Sequence, residues 1–156
     1  MTRRGILSVL PLLLPQALRA KGDTVRISIA GPGLAAPVEI TEGVGLFQVW
    51  SGPGTSSREP QSFLADWAAG AVEPPESKLT YQITVHTTRP APHSIYFVLY
   101  RIDSSGKGYV YIPGKDHPAY TDNTWLILRS VEGKWFRAWK EWEAIAHPLI
   151  AKASAR

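Results

Sequence analysis

IYFVLYRIDSSGKGYVYI, residues 95–112, reads as two apolar strands joined by a short polar loop. Ile95–Ile102 is apolar on both of its faces, which is typical of a central strand that is covered on both sides. Ser104–Gly108 supplies a five-residue turn, and Tyr109–Ile112 then runs back. This stretch predicts an antiparallel hairpin in the middle of a sheet.

Outward from the hairpin, alternation of apolar and polar residues indicates more strands. Leu79–Thr88 points Leu79, Tyr81, Ile83 and Val85 one way and its polar residues the other. Short turns between such runs favour antiparallel pairing. Further strands are predicted at Val25–Ile29, Pro37–Ile40, Val44–Trp50 and Trp125–Val131.

The end of the chain changes to helical spacing. Trp135, Trp139 and Trp142 recur with other apolar residues every three or four positions, which predicts an amphipathic helix over about 134–147. Pro148 removes one backbone hydrogen bond and is expected to end or kink this helix near His147. We interpret the tryptophan stripe as the lid of a core, with pairing to another chain as an alternative.

The predicted fold class is mainly β. The 156 residues, 44% of them hydrophobic, fit one domain over 21–156. We expect an antiparallel β-sandwich or a curved sheet with the C-terminal helix packed on it, and a partly open barrel is the second choice.

Residues 1–20 resemble a cleavable export signal. Arg3 and Arg4 precede an apolar run over 6–14, and Ala20 offers a small residue for cleavage. The run is too short to span a bilayer. We therefore expect a periplasmic or extracellular protein whose mature chain has no transmembrane segment. The secretory route is favoured, the paired arginines leave a twin-arginine route open, and a buried first helix is the alternative.

Charge and cysteine content exclude some function classes. The chain has 17 Lys and Arg against 13 Asp and Glu. Arg3, Arg4 and Arg19 lie in the predicted signal, so a chain from Lys21 has 14 basic and 13 acidic residues and no strong electrostatic case for nucleic-acid binding. Because cysteine is absent, disulfides, thiol nucleophiles and zinc–thiolate sites are excluded.

Support for catalysis in the sequence is weak and rests on three histidines. His86 and His93 flank a proline-containing loop, and Asp116 with His117 follows in a polar loop. Such residues can assemble a His/Asp cluster for metal-assisted hydrolysis. Their spacing matches no metal-ligand motif, however, and no metal or other cofactor is predicted.

Two surfaces are candidates for binding. The loop after Trp50 carries Ser51, Gly52, Gly54 and Thr55, whose backbone and hydroxyls suit a ligand rim, although Pro53 removes a donor and the loop lacks a phosphate-binding motif. The hairpin carries a row of four tyrosines, which are Tyr96, Tyr100, Tyr109 and Tyr111. Exposed, the row is a stacking surface, with Tyr100, Tyr109 and Tyr111 as the three predicted ligand contacts; buried, it belongs to the core with its hydroxyls at the rim. In some registers Tyr100 and Tyr111 are cross-strand neighbours.

The functional expectation is an exported envelope protein that binds or scaffolds rather than catalyses. Its expected partner is a small ligand, a glycan or an envelope protein. The alternative is a small exported hydrolase that uses the histidine cluster.

Overall fold

The computed structural model describes residues 22–52, 63–77, 79–88, 94–126 and 130–155. The predicted signal over 1–20 lies outside these residues. Within them, the strands are β1 Thr24–Ala30, β2 Val38–Ile40, β3 Ala71–Val72, β4 Thr80–Thr87, β5 Ser94–Ile102, β6 Gly108–Ile112 and β7 Lys134–Arg137. The helices are a 3-10 turn at Val44–Leu46, α1 Tyr120–Leu126 and α2 Lys140–Ser154.

The seven strands form one open antiparallel sheet in the order β2-β1-β4-β5-β6-β7-β3, with α2 packed against it. This confirms the predicted mainly-β class with a C-terminal helix. The strand β5 lies at the centre of the order, as its two apolar faces predict, and the outermost strands β2 and β3 are short. Short edge strands limit unwanted pairing with other chains.

Alternation along the strands separates the sheet into two faces. The core face carries side chains such as Ile27, Ile83, Val98 and Tyr100, all fully buried. The opposite face, called the outer face below, carries the residues between them, because neighbouring residues on a strand point to opposite sides.

Aromatic residues fill the space between the core face and the segments that cover it. Phe47 contacts Trp142 of α2 edge-on at 5.5 Å between ring centroids, and Phe63 contacts Tyr96 in the same way at 5.6 Å. Trp142 and Tyr96 are almost completely buried. The helix therefore acts as a lid over the core, as the sequence predicts for Trp142.

Two predicted strands are wrong. Val44–Trp50 is not a strand, because it begins with the 3-10 turn and continues as irregular chain whose Phe47 and Val49 still reach the core. Trp125 and Leu126 belong to helix α1, so the strand predicted over 125–131 does not start there. Residues 127–129 lie outside the described part.

The helix predicted over 134–147 is also wrong in its bounds. Lys134–Arg137 forms β7, and α2 begins only at Lys140 and continues to Ser154, past Pro148. Proline at 148 removes the bond to the carbonyl of Ala144, and both residues are exposed, so water can replace that bond. Among the described residues, no helix has the length and apolarity needed to cross a membrane.

Candidate functional site

Polar contacts fix the first half of α2 on the end of the sheet. The phenol oxygen of Tyr100 lies 2.6 Å from His147 Nε2. Burial, and secondarily the charge of Glu143, raise the pKa of Tyr100, so the phenol keeps its proton and its O–H donates a hydrogen bond to Nε2 of His147. The backbone N–H of Gly108 donates to Glu143 Oε1 at 2.5 Å.

The end of β7 is held between two neighbouring segments. The N–H of Ala138 donates to the carbonyl of Gly108 at 2.9 Å on the β6 side. On the other side, the N–H of Asp66 donates to the carbonyl of Arg137 at 2.8 Å, and Ala65 bridges to Ala138. These bonds bring the chain around Asp66 next to the start of α2.

An open groove of about 510 Å³ lies at this junction, which we call the α2 groove. Its volume is within the usual range for small-molecule sites. It is lined by Asp66, Ala69, Arg137, Ala138, Trp139, Lys140 and Glu143.

Arg137 is held in the α2 groove by contacts with two side chains. Its guanidinium lies 4.8 Å from the centre of the Tyr109 ring, and its Nη2 lies 3.7 Å from Glu143 Oε1. Its Nη1 is buried and has no hydrogen-bond partner among the described residues. A buried donor without an acceptor costs free energy. The Arg137 side chain as a whole is 28% exposed, so the guanidinium is partly accessible from the groove.

A second polar cluster lies on the outer face, across β1, β2 and β4. Ser28 Oγ lies 2.8 Å from both carboxylate oxygens of Glu39 and 3.4 Å from His86 Nε2. Arg26 contacts Glu39 at 3.3 Å and His86 Nδ1 at 3.2 Å. The four side chains close a ring that contains serine, histidine and a carboxylate.

This ring does not have the arrangement of a serine hydrolase. Arginine can only donate, so His86 Nδ1 accepts and the proton of the neutral ring is on Nε2, which faces Ser28. In that tautomer His86 cannot accept the proton of Ser28, whose hydroxyl donates to Glu39 instead. A catalytic triad needs the carboxylate on the far side of the histidine.

The other histidine-cluster residues are not shown to join His86. His117 Nδ1 accepts the N–H of Ala119 at 3.1 Å, within its own turn, and Asp116 is exposed in the same turn. His93 lies outside the described residues. In the part of the chain that the structure describes, no three His, Asp or Glu side chains are grouped closely enough to hold a metal ion.

The two described residues of the loop after Trp50, Ser51 and Gly52, both have structural roles. Ser51 is fully buried, and its hydroxyl donates to the carbonyl of Gln48 at 2.9 Å. Gly52 has a φ of 100°, and a Cβ there would collide with the Trp67 indole. The predicted binding residues Gly54 and Thr55 lie outside the described residues.

The three hairpin tyrosines lie on two different faces. The register pairs Tyr100 with Val110 and Tyr111 with Leu99, so Tyr100 and Tyr111 are not cross-strand neighbours. Tyr100 is fully buried, which is incompatible with an exposed stacking surface. Tyr109 and Tyr111 are partly exposed on the outer face, where they pack against Arg137 and Trp135 respectively.

Sequence reasoning missed the α2 groove. Its charged residues Arg137, Lys140 and Glu143 follow a three-residue spacing, which indicated only the polar side of a helix. Asp66 comes from a distant stretch, and no pattern in the sequence connects it to the other three.

Comparison with known protein families, with curated proteins and with solved structures yields no match for this chain.

Proposed function

We propose that this protein is an exported, non-catalytic binding module that holds a small polar ligand in the α2 groove. Export is supported by the arginine pair and apolar run within the first 20 residues. The binding role is supported by the groove itself.

One observation carries the proposal: the guanidinium of Arg137 is fixed before any ligand arrives. The guanidinium lies over the Tyr109 ring, 4.8 Å from its centre, and its Nη2 pairs with Glu143 at 3.7 Å. A side chain that is already positioned loses little conformational entropy when a ligand binds.

A thermal-shift screen of the chain from Lys21 tests the proposal. A ligand that binds only the folded state raises the melting midpoint by mass action. The panel contains amino acids, sugars and small anions. We expect at least one class to raise the midpoint of the wild type.

A matched pair of variants assigns the response to the groove. Lys140 lines the groove with an 84% exposed side chain, and Lys152 is exposed on the last turn of the same helix. Lys140→Gln should reduce the ligand-induced shift, whereas Lys152→Gln should leave it unchanged. A flat panel, or an equal shift in both variants, would contradict the proposal.

A further inference from the structure

The α2 groove presents both signs of charge to a ligand. Arg137 and Lys140 are cationic, and Asp66 and Glu143 are anionic. A ligand that is only an anion would meet two carboxylates, and a ligand that is only a cation would meet two cationic side chains. Electrostatic complementarity therefore favours a ligand that carries one charge of each sign.

The cationic side is only partly engaged by the protein. The Arg137 side chain is 28% exposed and its Nη2 lies 3.7 Å from Glu143, and the ammonium of Lys140 lies 3.8 Å from Glu141 on an 84% exposed side chain. A guanidinium matches the planar geometry of a carboxylate, and charge-assisted hydrogen bonds are the stronger ones. These two side chains are suited to a carboxylate group.

The anionic side has unused acceptors. Asp66 Oδ1 accepts the N–H groups of Ala68 and Ala69, and Glu143 Oε1 accepts that of Gly108. No described residue donates a hydrogen bond to the second oxygen of either carboxylate. These oxygens are available to an ammonium group, which has three donors and no acceptor.

The remaining walls are apolar. Trp139, Ala69 and Ala138 line the same groove, and the Trp139 ring is anchored edge-on against buried Phe47 at 6.0 Å. An indole fixed in this way offers a flat apolar surface to a ligand side chain.

Building on the proposed function, we propose that the ligand is a free α-amino acid with an apolar side chain. Its carboxylate binds Arg137 and Lys140, its ammonium binds Asp66 and Glu143, and its side chain packs on Trp139.

Calorimetric titration with L-phenylalanine and its two half-ligands tests this assignment. Phenethylamine lacks the carboxylate, and 3-phenylpropionate lacks the ammonium. We expect each half-ligand to bind at least tenfold more weakly than phenylalanine. A half-ligand that binds as tightly as phenylalanine overturns the amino-acid assignment, and so does a phenylalanine-containing dipeptide that binds tenfold more tightly.

Two variants test the anionic and the cationic side of the groove separately. Asp66→Asn keeps an oxygen for the N–H groups of Ala68 and Ala69 and removes the charge, so it should weaken phenylalanine and phenethylamine but not 3-phenylpropionate. Lys140→Gln should weaken phenylalanine and 3-phenylpropionate but not phenethylamine. Lys152→Gln serves as the control. Equal effects of a variant on both half-ligands would overturn the assignment.

The two proposals fail differently. If phenylalanine does not bind while another panel compound gives a shift that depends on Lys140, the amino-acid inference is overturned and the groove function stands. If no compound gives a Lys140-dependent shift, both are overturned.

Discussion

At Gly108 the backbone passes so close to the Tyr100 phenol that a side chain does not fit. A Cβ built there would lie 2.9 Å from two carbons of the phenol ring and closer still to its oxygen. The same phenol is hydrogen-bonded to His147, so it cannot move away without breaking that hydrogen bond. Gly108 is thus a packing requirement at the junction that also forms the α2 groove.

Gly108→Ala should therefore lower the free energy of unfolding by about 1–3 kcal/mol, the usual cost of overpacking a core. Chemical denaturation measures this change. Gly45→Ala is the control, because a Cβ at Gly45 meets no atom within 4 Å. Equal losses in the two variants would contradict the packing argument.

Asp103 organises the turn between β5 and β6. Its carboxylate accepts the hydroxyl of Ser105 at 2.7 Å, the N–H of Lys107 at 3.0 Å and the hydroxyl of Tyr109 at 2.9 Å. These hydrogen bonds, that of Ser105 first, hold the pKa of Asp103 well below its usual range. The ionised form is therefore favoured by folding.

The stability that Asp103 contributes should depend on pH. Because its pKa is lower in the folded state, this contribution is complete above the unfolded pKa of about 4 and is lost as the pH falls through the folded value. Wild type should thus exceed Asp103→Asn in stability at pH 7, with a difference that shrinks at acidic pH. Asp116→Asn, in an exposed turn, is the control. A difference that stays constant from pH 7 to pH 2 would refute this account.

At the scale of elements, α1 completes the hydrogen bonding of β5 where β6 ends. Extending the β5–β6 register places Pro113 opposite Phe97, and proline has no N–H to donate. The buried side chain of Asn123 replaces it. Its amide nitrogen donates to the Phe97 carbonyl at 2.7 Å, and its oxygen accepts the Phe97 N–H at 2.8 Å.

Replacing Asn123 with Leu should leave both backbone groups of Phe97 unpaired and cost about 2 kcal/mol or more. Hydrogen exchange at the Phe97 amide gives a local readout, and we expect it to accelerate in the Leu variant. Asp122→Asn, at an exposed neighbour on α1, should change neither quantity. Unchanged exchange in the Leu variant would show that Asn123 does not serve this purpose.

The elements that the sequence predicts correctly are those in which apolar residues repeat with an unambiguous period. The alternation from Tyr81 to Val85 extends far enough to exclude a helix, and the two-faced run over 95–102 is bounded by a turn. By contrast, the helical spacing of Trp135, Trp139 and Trp142 is misleading. The boundary between β7 and α2 lies within it. Tertiary pairing with β6 places Trp135 in a strand, on the outer face of the sheet.

At the scale of the whole molecule, the sheet order explains why the site could not be predicted. The segment at Asp66 reaches the start of α2 only because it pairs with the end of β7, an arrangement set by long-range hydrogen bonds. Charges such as Lys140 and Glu143 have the same spacing on any exposed helix. Only the folded chain brings both signs of charge and Trp139 around one groove.

Backbone NMR of the chain from Lys21 tests the central claim, that the α2 groove is the binding site. The protein is titrated with the panel compound that raises its melting midpoint most. We predict that the largest amide shifts fall within Asp66–Gly70 and Arg137–Glu143, and that Lys140→Gln reduces them. Largest shifts around the Arg26 and His86 ring on the outer face, with the groove amides unmoved, would contradict the account.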